Sequence, residues 1–218
     1  MTITAARTFR GAEFVLLYGL LPLLPLTGNL PRPWLVWLYV LSVPAAVWLR
    51  RSGGLSITEF WRPSEISRER DHLSLLLKRF LLSAIALSVG TWLLAPEQFL
   101  RLPLEDPLMW VGVIILYPLL AVYPQELLYR AFFLRRYTPL LGSASTLLLV
   151  NAVAFGWTHV AFGHPLSILL SAVGGVFFFH TYRSTGSLRL ACLEHALYGD
   201  LIFTVGLGGY FYSGWANA

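Results

Sequence analysis

An all-α, polytopic transmembrane helical bundle of about seven spans is what this sequence predicts. Of its 218 residues, 56% are hydrophobic and only 12% are charged, whereas soluble domains carry about 25% charged residues. Apolar runs long enough to cross a bilayer recur along the whole length. The basic residues gather in alternate connections between those runs. No repeat, low-complexity tract or second domain breaks the pattern, so residues 1–218 read as one integral membrane domain. The formal net charge of +5 is then a matter of topology, and no nucleic-acid partner is expected. A single cysteine, Cys192, excludes an intramolecular disulfide.

The elements follow in order. Arg7 and Arg10 precede a first apolar run from Phe14 to about Leu30, interrupted by Pro22 and Pro25. It is long and lacks a small-residue cleavage site, so it reads as a retained span. A turn at Pro31, Arg32 and Pro33 leads to the second run, Trp34 to Leu49. The most polar segment, Arg50 to Arg79, follows, and its later part reads as a helix lying on the membrane surface. The third run is Phe80 to Ala95. An outer loop bearing Glu97, Arg101, Glu105 and Asp106 leads to the fourth run, which starts at Leu108. The fifth runs from Ala144 to Phe162, the sixth from Leu166 to Tyr182, and the seventh from Leu190 to about Tyr212.

With the N-terminus cytoplasmic, thirteen of the sixteen basic residues fall on the inner side. Arg32 and Arg101 fall outside, and Arg130 belongs to the fourth helix. This asymmetry sets the orientation. The expected setting is the lipid bilayer of a bacterial inner membrane.

Polar residues inside the spans are costly and are read first as functional or tightly paired. The fourth run ends in Pro124-Gln125-Glu126-Leu127-Leu128-Tyr129-Arg130. Glu126 and Arg130, four apart, share a helix face in the order that favours an ion pair. The fifth run carries Asn151, Phe155 and His159 on one stripe. The sixth brings His180, at its inner boundary, and the seventh brings Glu194, His195 and Asp200. A carboxylate and two imidazoles from three helices could meet at one water or one metal ion. Trp and Tyr near the span ends read as an interfacial belt, and Gly174-Gly175 as a close-packing site.

Gln125-Glu126-x-x-x-Arg130, then Phe155-x-x-x-His159, then His195 in the last span resemble the three signatures of the CAAX-protease and bacteriocin-processing family. That family pattern is Glu-Glu-x-x-x-Arg, Phe-x-x-x-His and His-x-x-x-Asn or Asp, in the same order. The resemblance covers residues 108–212, the CAAX-protease-like catalytic half. It implies an intramembrane endopeptidase that hydrolyses a peptide bond of a membrane-anchored or lipidated substrate. It also implies that Glu126 and His159 activate a water while His195 stabilises the oxyanion, supported by Gln125, Arg130 and Asp200. Whether a divalent metal such as zinc takes part, or none does, stays open.

This chain departs from the pattern twice. Gln125 stands where the first glutamate belongs, so Glu126 takes that role only if the helix twists near Pro124. Gly199, four residues after His195, stands where Asn or Asp belongs. Asp200 would reach the site only through a bulge. These departures motivate a second expectation: a catalytically impaired relative acting as a membrane-binding or immunity-type protein. A small transporter lacks support, since no repeat symmetry is present. No His-Glu-x-x-His occurs, and Cys192 has nothing nearby in sequence to stabilise a thiolate.

Depth is the remaining tension. At 1.5 Å per residue, Glu126 lies about 15 Å above Arg136, His159 about 25 Å above Gly142 and His195 about 9 Å above Arg189. Convergence therefore demands a fifth helix that starts deep, strong tilts, or bends at Pro118 and Pro124.

Overall fold

The computed structural model describes residues 3–27, 35–53 and 66–211. Among these residues the chain is all-helical, with no strand. The turn at Pro31–Pro33, Arg62 and the segment's other residues from 54 to 65, and the end of the seventh run at Tyr212 lie outside the described residues. Five helical runs are long and apolar enough to cross a membrane, by length and composition: Thr4–Thr27, Arg70–Leu94, Pro107–Leu141, Ala144–Phe162 and Pro165–Thr185. Two further helices of 17 residues, Leu35–Arg51 and Leu188–Thr204, join them. That accords with about seven spans, and the chain is an integral membrane protein.

Three of the expected elements are redrawn. The first helix starts well before Phe14. It runs as α1 (Ile3–Phe14), a π turn (Val15–Leu20) and a 3-10 segment (Leu21–Thr27). Proline has no N–H to give, so the tighter segment falls where Pro22 and Pro25 sit. The chain then forms α2 (Leu35–Arg51). The surface helix expected before Phe80 is instead the opening of one 29-residue helix, α3 (Ile66–Leu94). No proline or glycine interrupts it there, and Leu76, His72 and Arg79 turn inward to partners on other helices. The seventh helix ends at Thr204 rather than near Tyr212. Beyond it Gly206 adopts φ +98°, and a Cβ there would stand 1.8 Å from the Gln98 carbonyl oxygen, so the chain turns against the connection that follows α3.

After the short α4 (Arg101–Glu105), a continuous run from Pro107 to Leu141 crosses the bundle. It contains α5 (Pro107–Tyr117), a π turn (Pro118–Val122), α6 (Tyr123–Glu126), a second π turn (Leu127–Phe132) and α7 (Phe133–Leu141). Asp106 caps its start, accepting a hydrogen bond from the Met109 N–H at 2.9 Å. Next come α8 (Ala144–Thr158), a 3-10 turn (His159–Phe162), α9 (Pro165–Thr185) and α10 (Leu188–Thr204). Ser143 and Ser187 cap α8 and α10, each accepting from a backbone N–H three residues on at 3.1 Å.

The polarity of the bundle is that of a membrane protein. Leu81, Leu82, Leu93 and Leu94 of α3 and Leu108, Ile115 and Leu119 of the fourth run are exposed, whereas Glu126, Arg130, Asn151, Ser167, Thr181 and Glu194 are wholly buried. An apolar exterior of that extent is covered by lipid. One part of the core is a ring cluster, with Tyr18 packed edge-on against Tyr129, Phe133 and Tyr137.

Helices α8 and α9 approach most closely through small residues. A Cβ on Gly156 would meet the Ala172 Cβ at 2.7 Å and the Ile168 carbonyl oxygen at 2.8 Å. Gly175, expected at a close contact, sits against the Ala152 backbone, whereas Gly174 faces Phe178 of its own helix. Gly156→Val is expected to cost about 3 kcal/mol by overpacking. Thermal unfolding in detergent measures it, beside Gly90→Ala, which meets nothing within 4 Å and should not destabilise.

Candidate active site

Two π turns shape the site. An i→i+5 turn is wider than an α turn and leaves carbonyls short of their usual donors. Inside a membrane each such group needs another partner. In the second π turn, the Tyr18 hydroxyl donates to the Leu128 carbonyl at 2.9 Å. The Asn151 Nδ2 donates to the Tyr129 carbonyl at 2.6 Å. Distant side chains thus hold open a distortion beside Glu126, and the twist that the sequence demanded near Pro124 is supplied by π turns on either side of α6.

Glu126 and Arg130 are both completely buried, with Arg130 Nε 3.1 Å from Glu126 Oε2. Arg130 also donates to Asn151 Oδ1. Its guanidinium lies over the Phe155 ring at 4.8 Å and the Phe178 ring at 5.7 Å. The other carboxylate oxygen, Oε1, accepts from Nδ1–H of His195 at 2.9 Å. On the far side of that ring, Nε2 lies 2.9 Å from the Tyr117 hydroxyl. His195 stacks on Phe178 at 4.6 Å and meets Phe155 edge-on at 5.4 Å. The result is a chain of Arg130, Glu126, His195 and Tyr117, fixed by aromatic walls.

His159 is buried at the end of α8. Its Nδ1–H donates to the Phe155 carbonyl at 2.9 Å, and its ring packs against Phe155 at 5.1 Å. That bond assigns the proton to Nδ1 and leaves Nε2 as an acceptor. No hydrogen bond among the described residues joins His159 to Glu126 or His195; the two imidazoles share Phe155 instead. Asn151, Phe155 and His159 are all buried on the one stripe.

The supporting residues divide. Arg130 belongs to the chain. Gln125 is half-buried, and its Oε1 is buried without a hydrogen-bond partner. Helix α10 runs unbroken past Asp200, whose Oδ1 is also buried and unpartnered, and no hydrogen bond among the described residues connects Asp200 to His195. His180 is exposed and stacks on His72. His164 caps α9 and stacks on Tyr210 at 4.3 Å.

The depth tension comes from treating basic residues as a common floor. Arg136 does not mark a helix end. It binds Glu13 of α1 through Nε at 2.8 Å and Nη2 at 2.7 Å, and its helix continues to Leu141. Helix α10 begins among the buried residues Thr185, Ser187 and Leu188, and His195, two turns into it, meets Glu126.

Four participants have no clear sequence signal. Glu13 is a lone acid before the first apolar run, and its partners Arg136 and Tyr137 lie more than 120 residues away. Arg79, counted among the inner loop charges, is partly buried and bonds Glu194 at 3.0 Å. Thr181 donates to Glu194 at 2.5 Å and accepts from Arg79 at 3.1 Å and from His72 Nε2 at 2.9 Å, which fills its hydroxyl capacity. Tyr117 has only its place directly before Pro118 and a glycine at 199 to mark it.

No three His, Cys, Asp or Glu side chains among the described residues converge as a metal ion would require. Glu126 faces Arg130 and His195, and His195 Nε2 faces Tyr117. Donors already turned to one another do not fit a metal centre.

Residues 107–199, which hold every member of the chain, match the family model described as Type II CAAX prenyl endopeptidase Rce1-like. That stretch is Rce1-like. No curated protein and no solved structure matches the chain. The Rce1-like stretch begins with the distorted fourth run and ends on Gly199 in α10, so the π turns, the Phe155 stripe and His195 all fall within it. Over that stretch the protein is similar to the Rce1-like family, and its apolar helices make it an integral membrane protein.

Proposed function

We propose that the protein is an intramembrane endopeptidase hydrolysing a peptide bond of a membrane-anchored or lipidated substrate. In this reading residues 108–212 form the catalytic half of a single membrane domain, and Glu126, His159 and His195 share the chemistry. The proposed setting is a bacterial inner membrane with the N-terminus cytoplasmic, from the distribution of basic residues. The observation that carries the reading is the buried contact of Glu126 with His195 inside the Rce1-like stretch.

His159 Nε2, kept as an acceptor by the bond from Nδ1–H to Phe155, draws a proton from water as the water oxygen attacks the scissile carbonyl carbon. Glu126 holds His195 by Nδ1 and fixes its ring, with the Tyr117 hydroxyl on Nε2, on the oxyanion side of the site. On collapse the carbon–nitrogen bond breaks and the proton passes from His159 to the leaving amine. Arg130 and Asn151 keep the glutamate in place and take no proton.

Purified protein in proteoliposomes is expected to cleave membrane-anchored peptides, with new termini read by mass spectrometry. His159→Ala should lower kcat by about 10²–10⁴-fold. Cleavage unaffected by that change removes His159 from the mechanism, and a wild type that cleaves no anchored peptide removes the reading.

A further inference from the structure

The chain of contacts from Arg130, an ion pair followed by two hydrogen bonds, ends on a residue outside the three sequence blocks. Tyr117 lies at the end of α5, one residue before the first π turn. Glu126, Arg130 and His195 are buried, whereas Tyr117 is half-buried. It is the one member of the chain that is not fully buried as a residue. Its ring occupies the place where position 199 would carry a side chain. A Cβ on Gly199 would stand 2.2 Å from Tyr117 Cε1 and 2.6 Å from its hydroxyl oxygen. The glycine that departs from the expected Asn or Asp thus has a physical partner, since the missing side chain and the intruding phenol fill the same space beside His195.

We propose that the Tyr117 hydroxyl, seated in the recess left by Gly199, is the substrate-facing group of this site and donates the hydrogen bond to the oxyanion. This rests on the endopeptidase reading above. The hydrogen-bond arithmetic fits. With Nδ1–H given to Glu126, a neutral His195 offers a lone pair at Nε2, and the Tyr117 O–H donates to it at 2.9 Å. As the oxyanion forms, the single phenolic proton turns from the Nε2 lone pair to the oxyanion oxygen, and no proton is transferred. Tyr117 thereby offers a donor beside His195, which is itself only 4% exposed.

Three variants test it in the full-length protein, assayed on an anchored peptide that the wild type cleaves. Tyr117→Phe keeps the ring in its recess and removes only the hydroxyl. It should lower kcat by about 10²–10³-fold, the effect of losing one oxyanion donor, with KM and thermal unfolding near those of wild type. Tyr117→Ala should be at least as impaired. Tyr117→Ala combined with Gly199→Asn returns a donor to the emptied recess and should regain about tenfold over Tyr117→Ala, which a purely structural role for the ring does not predict. Full turnover by Tyr117→Phe, while Glu126→Gln is inactive, overturns the assignment to Tyr117 and leaves the endopeptidase reading standing. If Tyr117→Phe does not fold, the absence of any gain on adding Gly199→Asn overturns it instead. A wild type that cleaves nothing overturns both.

Discussion

Glu126→Gln lowers kcat/KM for anchored-peptide cleavage by about 10³–10⁴-fold, the size of effect seen when the acid that orients a catalytic histidine becomes an amide. The substitution is nearly isosteric, so the walls of Phe155 and Phe178 around the site stay filled. What changes is the bond to His195. The carboxylate offers only acceptors, so Nδ1 must carry the proton and Nε2 must face Tyr117 as a lone pair. An amide can turn its NH2 toward Nδ1, reverse the tautomer and turn the Nε2 proton against the Tyr117 hydroxyl. Because Arg130 then lacks a buried counter-ion, rates must be compared per folded molecule, measured by single-turnover cleavage on monodisperse protein. Cleavage at the wild-type rate would show that the Glu126–His195 contact is structural, and the proposed function would fall with it.

How much of this could be read from the residues depends on the range of the interaction. The apolar runs and the spacing of four between Glu126 and Arg130 are local, and the ion pair is found at that spacing. The stripe of Asn151, Phe155 and His159 is local too and is buried as a unit. The π turns were not legible, because a change from i→i+4 to i→i+5 leaves no mark in apolar periodicity. They depend on Tyr18 and Asn151, which reach Leu128 and Tyr129 from other helices. Reading the charged residues before Phe80 as a membrane-surface helix failed for a related reason. Polarity at a helix start signals solvent only if no buried partner exists, and Arg79 has Glu194 and Thr181. The recess at Gly199 was visible as a missing side chain, but only the fold identifies Tyr117 as its occupant.

Arg130 gives the largest expected change in stability. It is completely buried and binds Glu126 and Asn151 beneath the Phe155 ring. Arg130→Leu leaves the buried Glu126 carboxylate facing hydrocarbon, and removal of one partner from such a pair costs about 3–5 kcal/mol. It also leaves Asn151 Oδ1 without its donor, adding about 1–3 kcal/mol. Arg130→Lys should recover only part, because an ammonium cannot span Glu126 and Asn151 with a planar fork. The cycle is completed by Glu126→Leu and by Glu126→Leu/Arg130→Leu, each followed by denaturant unfolding in mixed micelles. The double variant should be more stable than Arg130→Leu alone, since two apolar side chains strand no charge. If instead the losses simply add, the two groups are energetically independent despite their 3.1 Å separation. The guanidinium would then be held by Asn151 and the aromatic rings, and Glu126 would depend on His195 alone for its position.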